Sequence, residues 1–235
     1  MYKRAVILAG GKGTRLKPYT VSLPKPLVPV VDKPILEIII QQLAKNGFDH
    51  ITLTINHMAE IIKAFCGDGS RWGVKIDYSM EDKPLSTMGP LKLIPDLPDD
   101  FLIMNGDVLT DLCFSDFYEF HIQGHNIFTI SSFERQQVND YGVLEIDAAS
   151  NLINFREKPV NNYEVSMGIY MANKQILNLI PDGISFGFDH LMYKMLKNND
   201  KVAVKKHDRY WLDIGRPEDY EKANQDYSAI ISNSL

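Results

Sequence analysis

The amino-acid sequence predicts an α/β fold, a mixed and mostly parallel central sheet flanked by helices. Two observations carry that prediction. In the first half, short apolar runs alternate with helix-like stretches, the pattern of parallel α/β layers. In the second half, four strand-like runs follow one another with turn-rich segments between them, which extends the sheet as a mixed one. No repeat, low-complexity tract or linker interrupts the chain, so residues 1–235 read as a single domain.

Element by element, Arg4 to Leu8 reads as a buried strand that runs into a glycine-rich turn. Pro34 to Asn46 reads as a helix, with Asp32 as its N-cap, Pro34 near its first turn and Gly47 at its end. Strands follow over His50 to Ile55, Lys75 to Ser79 and Phe101 to Met104, with a short helix over Ala59 to Phe65. The cluster Phe114, Phe117, Tyr118 and Phe120 reads as a helix packing on the sheet. Ile127 to Phe133, Gly142 to Ile146, Leu152 to Arg156 and Ser166 to Met171 read as the later strands. Lys174 to Ile180 and Phe188 to Lys197 look helical, Val202 to Lys206 is a short strand, and a last helix starts at Arg216 with Pro217 in its first turn. In open α/β sheets ligands bind beyond the carboxyl ends of strands, so the loops after Leu8 and Met104 are expected to converge.

Composition narrows the function class. With 45% hydrophobic and 23% charged residues, disorder, collagen and disulfide scaffolds are excluded. Cys66 and Cys113 lack CxxC spacing, which points to a reducing, cytoplasmic setting rather than a zinc ribbon or disulfide framework. The apolar run Ala5 to Ala9 is too short for a signal peptide or a membrane span. The net charge of −5 hides an asymmetry: residues 1–33 hold seven Lys or Arg and one acid, whereas the rest carries 18 bases and 29 acids. Nucleic acid would need a wider basic face, so a small polyanion is the expected partner.

The glycine turn Leu8-Ala9-Gly10-Gly11-Lys12-Gly13-Thr14-Arg15-Leu16 exposes successive backbone N–H groups and forms an anion-binding nest. It is neither of the two common phosphate motifs. GxGxxG would need glycine where Leu16 stands, and the Walker pattern needs Gly-Lys-Ser/Thr five residues after its first glycine. Downstream, Pro24-Lys25-Pro26 holds one lysine between two φ-locked residues. Lys25 and Arg15 are therefore the expected neutralisers of a triphosphate.

This two-part signature resembles that of the sugar-1-phosphate nucleotidylyltransferases. The resemblance continues through Pro84-Leu85-Ser86-Thr87-Met88-Gly89, Asn105-Gly106-Asp107, Tyr141-Gly142-Val143, Glu157-Lys158-Pro159, Met167-Gly168-Ile169-Tyr170 and Trp211-Leu212-Asp213-Ile214-Gly215. It implies a Rossmann-like nucleotidyltransferase fold. It also implies a nucleotide site of Leu8, Ala9, Gly10, Gly11, Gly13, Thr14, Arg15, Lys25, Glu81 and Gly89. The sugar phosphate would be held by Gly142, Glu157, Lys158, Ser166 and Gly168, and Mg²⁺ by Asp107 and Asp213, with Arg15, Lys25, Asp107 and Lys158 catalytic. Mg²⁺ typically takes one or two carboxylates plus substrate phosphates, so two aspartates suffice.

The implied partners are an NTP and a sugar 1-phosphate, with room for a homo-oligomer and no nucleic acid or membrane. Motif wording is closest to mannose-1-phosphate and heptose-1-phosphate guanylyltransferases, which makes GTP the first expectation. Glu81 and Asp82 would accept from the donor-bearing edge of guanine. Uridylyl and thymidylyl transfer are the alternatives. Ser86 and Ser166 depart from the commonest pattern, where glycine and asparagine often stand.

Two rival classes fit the sequence less well. Gly183-Ile184-Ser185-Phe186-Gly187 matches the GxSxG pattern of serine hydrolases, but that elbow needs a strand directly before the serine and Lys174 to Ile180 reads as helix. A nucleotide-binding relative without catalysis would have little reason to keep Arg15, Lys25, Asp107, Lys158 and Asp213 together. His121 and His125 have the i, i+4 spacing of a helical metal pair, but Gly124 weakens the helix and a surface turn is expected.

Overall fold

After Arg4, the run Ala5 to Leu8 is apolar on both faces, as suits a strand covered on both sides. It forms β1 at the heart of a seven-stranded sheet in the computed structural model, which describes residues 3–234, with side chains from 3 to 226. After the short hairpin β2 (Pro29–Val30) and β3 (Lys33–Pro34) come α1 (Ile35–Lys45), β4 (His50–Ile55), α2 (Ala59–Cys66), β5 (Lys75–Met80) and β6 (Asp100–Asn105). β7 (Val108–Thr110) and α3 (Phe114–Gln123) lead into β8 (Phe128–Val138), β9 (Val143–Ile146), β10 (Leu152–Arg156) and β11 (Val160–Asn173). The chain finishes with α4 (Phe188–Lys197), β12 (Val202–His207), β13 (Trp211–Asp213) and α5 (Pro217–Ser234).

The strand order is β12-β8-β11-β6-β1-β4-β5. β6, β1, β4 and β5 are mutually parallel, as are β12 and β8, while β11 runs antiparallel between β6 and β8. The sheet is mixed and mostly parallel, as expected. Period-2 alternation sorts its side chains into two cores. Ala5, Ile7, Leu102 and Met104 pack with α1 and α3 on one face, and Val6, Phe101 and Ile103 pack with α4 on the other.

Several details differ from the sequence reading, each for a local reason. Pro34, not Asp32, is the residue before α1, because Lys33 and Pro34 are spent on the β2–β3 hairpin. Lys174–Leu179 is a 3₁₀ segment capped by the Asn173 side chain rather than an α-helix. β11 begins six residues earlier than its apolar stretch, since its polar first half pairs with the exposed end of β8.

His121 is not in a surface turn. α3 runs on to Gln123, Gly124 caps it, and His121 is fully buried. Its Nδ1 lies 2.8 Å from Thr129 Oγ1 and its Nε2 lies 3.2 Å from Asp100 Oδ1. Burial lowers its pKa below the ordinary 6.5, against the opposing pull of Asp100. The unfolded chain therefore takes up the proton first as pH falls, so this contribution to stability is present above about pH 6.5 and lost below it. Between pH 7 and 5, the melting temperature of the native protein is expected to fall more steeply than that of His121→Gln. Parallel slopes in a thermal melt would remove His121 as the cause.

Candidate active site

The first cleft lies beyond the carboxyl ends of β1, β4 and β6, where Leu8 is in register with Thr54 on one side and Asn105 on the other. Its volume is about 520 Å³, and its lining includes the expected nucleotide residues Leu8, Gly10, Gly11 and Glu81 and the expected metal residue Asp107. A Cβ on Gly10 would sit 3.0 Å from Glu81 Oε1 and crowd that side chain. Gly13 has φ of +60° and would crowd Thr20 and Lys25. Glu81 Oε2 accepts the Leu85 N–H at 3.0 Å, and burial raises the carboxyl pKa. Ala9 is buried in the core, and Gly89 is packed behind the cleft against Leu85 and Ile184. Gly13, Thr14, Arg15 and Lys25 lie outside its lining. Lys12, Thr54, Asn56 and Asn105 also line it and were not singled out; Asn105 was nevertheless visible as the first residue of the Asn-Gly-Asp motif. Ser86 has φ of +64°, a conformation glycine adopts without strain, which accounts for the glycine common at this motif position.

The two predicted metal carboxylates come together through a three-residue ladder. β7 pairs antiparallel with β13, Asp213 opposite Val108, and the Ile214 N–H donates to the Asp107 carbonyl at 3.0 Å. Burial and the neighbouring Asp107 charge raise the pKa of Asp213, with Lys25 and Arg15 acting in the opposite direction. Lys25, buried between its prolines, donates to Asp107 Oδ2. Asp107 Oδ1 is buried without a hydrogen-bond partner. An unpartnered carboxylate oxygen on Asp107, with Asp213 close enough to feel its charge, is a donor set that would fit a hard divalent cation.

The ladder itself is held by Asp111. Its Oδ1 accepts the Tyr210 N–H at 3.0 Å and lies 2.8 Å from His207 Nε2, while the Thr110 hydroxyl donates to the Tyr210 carbonyl at 2.8 Å. No sequence motif marked this clamp.

A second cleft of about 430 Å³ is lined by Asp213, Arg15, Trp211 and Arg216 among others. The predicted sugar residues are distributed differently. Gly168, with φ of +74°, sits at the irregularity of β11 between Ser166 and Tyr170, so close to Asn105 that a Cβ would lie 2.6 Å from its Nδ2. Ser166 spans that irregularity, accepting the Gly168 N–H at 3.3 Å and donating to the Tyr170 hydroxyl at 3.1 Å. Gly142 and Glu157 face each other on the β9–β10 arm, where a Cβ on Gly142 would lie 3.2 Å from Glu157 Oε2. Lys158 is exposed on the same arm, and neither Glu157 nor Lys158 lines either cleft. The structure thus joins Arg15, Lys25, Asp107 and Asp213 and leaves Glu157 and Lys158 apart from them.

The hydrolase pattern fails on geometry. Ser185 lies in an irregular segment after the 3₁₀ turn, and the neighbouring Phe186 pairs with Leu85, Met88 and Gly89 through its backbone, so no strand-to-helix elbow exists there.

The glycine turn thus lies beyond the carboxyl end of β1, between β4 and β6, with Asp107 in the lining of the same cleft. The chain belongs to the nucleotidyl transferase family, which it matches over residues 4–230. Within that family its similarities run to sugar-1-phosphate nucleotidyltransferases. It is 33% identical to the UTP–glucose-1-phosphate uridylyltransferase of Synechocystis sp. over 94% of this chain and 62% of that one. It is equally 33% identical to the mannose-1-phosphate guanyltransferase of Yarrowia lipolytica, over 97% of this chain and 65% of that one. The chain therefore spans somewhat less than two thirds of these relatives' lengths. Among solved structures, HddC from Yersinia pseudotuberculosis complexed with GMP-PN superposes with a TM-score of 0.74 at 30% identity, over 97% of this chain and 100% of that one. Among the described residues, no helix is long and apolar enough to cross a membrane.

Proposed function

We propose that the chain transfers a nucleoside monophosphate from an NTP to a sugar 1-phosphate, releasing pyrophosphate, with GTP as donor and a mannose- or heptose-type acceptor. The observation that carries this reading is the meeting of Asp107, Asp213, Lys25 and Arg15 between two clefts, one of them floored by the glycine nest. The acceptor's phosphate oxygen forms a bond to the α-phosphorus as the α–β phosphoanhydride bond breaks in line. A phosphate monoester has its second pKa near ~6, so the nucleophile is already mostly ionised at neutral pH and no general base is needed. The chain's task is to hold two polyanions against their repulsion. The nest N–H groups and Arg15 bind the donor's phosphates, Lys25 meets the charge that moves onto the leaving group, and Lys158 is the arm's cation for the acceptor. Asp107 and Asp213 would hold Mg²⁺, which when bound neutralises phosphate charge and stabilises the departing pyrophosphate.

Guanine is favoured by Glu81, whose Oε1 faces the nest while Oε2 is occupied by Leu85. The N1 and N2 donors of guanine suit a carboxylate acceptor, and neither uracil nor thymine offers that pair. Glu81→Gln is expected to lower kcat/KM for GTP about 10–100-fold, the worth of one charge-assisted hydrogen bond. UTP is expected to change by less than about threefold by the same reasoning. An equal loss for both nucleotides would show that Glu81 does not read the base. Uridylyl transfer is the second reading, favoured by the equal identity to the Synechocystis relative. Both are tested by one matrix of NTPs against sugar 1-phosphates with Mg²⁺, reading pyrophosphate; if no pair reacts, the proposal fails.

A further inference from the structure

α5 does more than end the chain. Among its described residues only Ala223 is buried in the core, with Tyr220 packed at the core's edge, so apolar burial alone holds it weakly. Particular polar contacts hold it instead, and they reach both sides of the candidate site. At its start, Asp219 Oδ2 accepts the N–H groups of Gly215 at 3.2 Å and Arg216 at 2.9 Å, which fixes the turn that follows Asp213 and Ile214. The next residue, Tyr220, sets its ring 4.5 Å from that of Tyr19 and donates its hydroxyl to the Pro29 carbonyl at 2.9 Å. One turn further, Asn224 Nδ2 donates to the Tyr220 carbonyl at 2.8 Å, which leaves Oδ1 to accept the Val31 N–H at 2.7 Å.

The segment these contacts reach is stiff. Pro24, Pro26 and Pro29 lock three φ angles around Lys25. The Leu27 N–H donates to the Pro24 carbonyl at 2.8 Å and the Val28 N–H to the Lys25 carbonyl at 3.1 Å, which closes a 3₁₀ turn between the prolines. A displacement of Pro29 is therefore carried to Lys25 rather than absorbed on the way. The far end of the segment is strained. Val31 has φ of +55° in the two-residue loop of the β2–β3 hairpin, where glycine is the usual choice and a β-branched residue is an outlier. Its side chain is 59% exposed, so burial does not compel that conformation. The bond to Asn224 is what the fold sets against the strain.

We propose that Tyr220 and Asn224 are positioning residues, which gauge Lys25 against Asp213 by tying the segment 24–31 to the helix that follows β13. This role deepens the nucleotidyl-transfer reading and rests on it. Neither residue lines the first or the second cleft, so both act through Lys25.

The test joins kinetics to a readout that needs no turnover. Tyr220→Phe/Asn224→Ala keeps the ring against Tyr19 and removes the hydrogen bonds to Pro29 and Val31. Both bonds are solvent-exposed, so the melting temperature is expected to stay within about 4 °C of native. kcat is expected to fall about 10–100-fold, the scale for a catalytic group displaced by about an ångström, with the NTP KM within about threefold. Lys25 is buried and paired with Asp107, so in limited acetylation read by peptide mass spectrometry it is expected to label slowly beside the exposed Lys12. In the double variant Lys25 labelling is expected to rise severalfold, with Lys12 unchanged. Val31→Gly, which takes φ of +55° without strain, is expected to recover part of the kcat lost in Asn224→Ala.

Native kcat together with native Lys25 labelling overturns the proposal. A fall in kcat with unchanged Lys25 labelling overturns it too, because α5 then acts by another route. A melt lowered well beyond that range, with the NTP KM raised in step, marks a merely structural role and has the same force. Failure of Val31→Gly to recover activity removes Asn224 from the tie. If Lys25 labelling rises but the native protein releases pyrophosphate from no NTP and sugar 1-phosphate pair, the transfer reading fails and the tie between α5 and Lys25 stands.

Discussion

Asp107→Ala and Lys25→Ala are each expected to lower turnover about 10²–10³-fold, the usual loss on removing one charge-stabilising group. The reasons differ. Without Asp107, Lys25 loses the one ion pair it makes among the described residues, and Asp213 is left as the single carboxylate of the pair. Without Lys25, the half-buried carboxylate of Asp107 has neither oxygen partnered among the described residues, and Arg15 is left as the cation beside the carboxylate pair. Both substitutions leave Gly10, Gly11 and Glu81 in place, so NTP binding measured by calorimetry should weaken by less than about tenfold, one charge-assisted contact. Near wild-type pyrophosphate release by either purified variant would remove that residue from the catalytic set.

Asp111→Ala is expected to be the most damaging substitution outside the two clefts' catalytic groups. It orphans the Tyr210 N–H and takes a partner from the buried His207. Two such losses cost about 3 kcal/mol together, and for a chain of this size that lowers the melting temperature by roughly 6–12 °C. Turnover should fall with it, because Tyr210 leads directly into β13 and Asp213. Asp111→Asn keeps an oxygen for the Tyr210 N–H and is expected to recover most of the stability. A melt of Asp111→Ala within about 2 °C of the native protein, under one kcal/mol on this scale, would sink the clamp.

What the sequence disclosed, and what it hid, follows from the range of the interactions involved. β1, β4, β10 and α4 have their read bounds because each is a local run whose burial or period is visible within ten residues. Lys25, Asp107 and Asp213 were legible as motif residues. Their convergence was not, since it depends on a ladder between three-residue strands about a hundred positions apart, too short to leave a pattern. Asp111 and His207 were invisible for the same reason. Arg135, Arg216 and Lys222 look in sequence like the solvated faces of a strand and a helix, and only the cleft gathers them. His121 misled because Gly124 weakens a helix when read locally, whereas in the fold it ends one.

The β7–β13 ladder also governs when the site can come into being. Chains emerge N-terminus first and fold as they emerge. The glycine nest, Glu81 and Asp107 are made early, but Asp213 joins its partner only after residue 211 has followed. A product cut short before β13 keeps the residues that line the first cleft and lacks Asp213. On the proposed function such a fragment is expected to release no pyrophosphate, so the last strand is what completes the carboxylate pair.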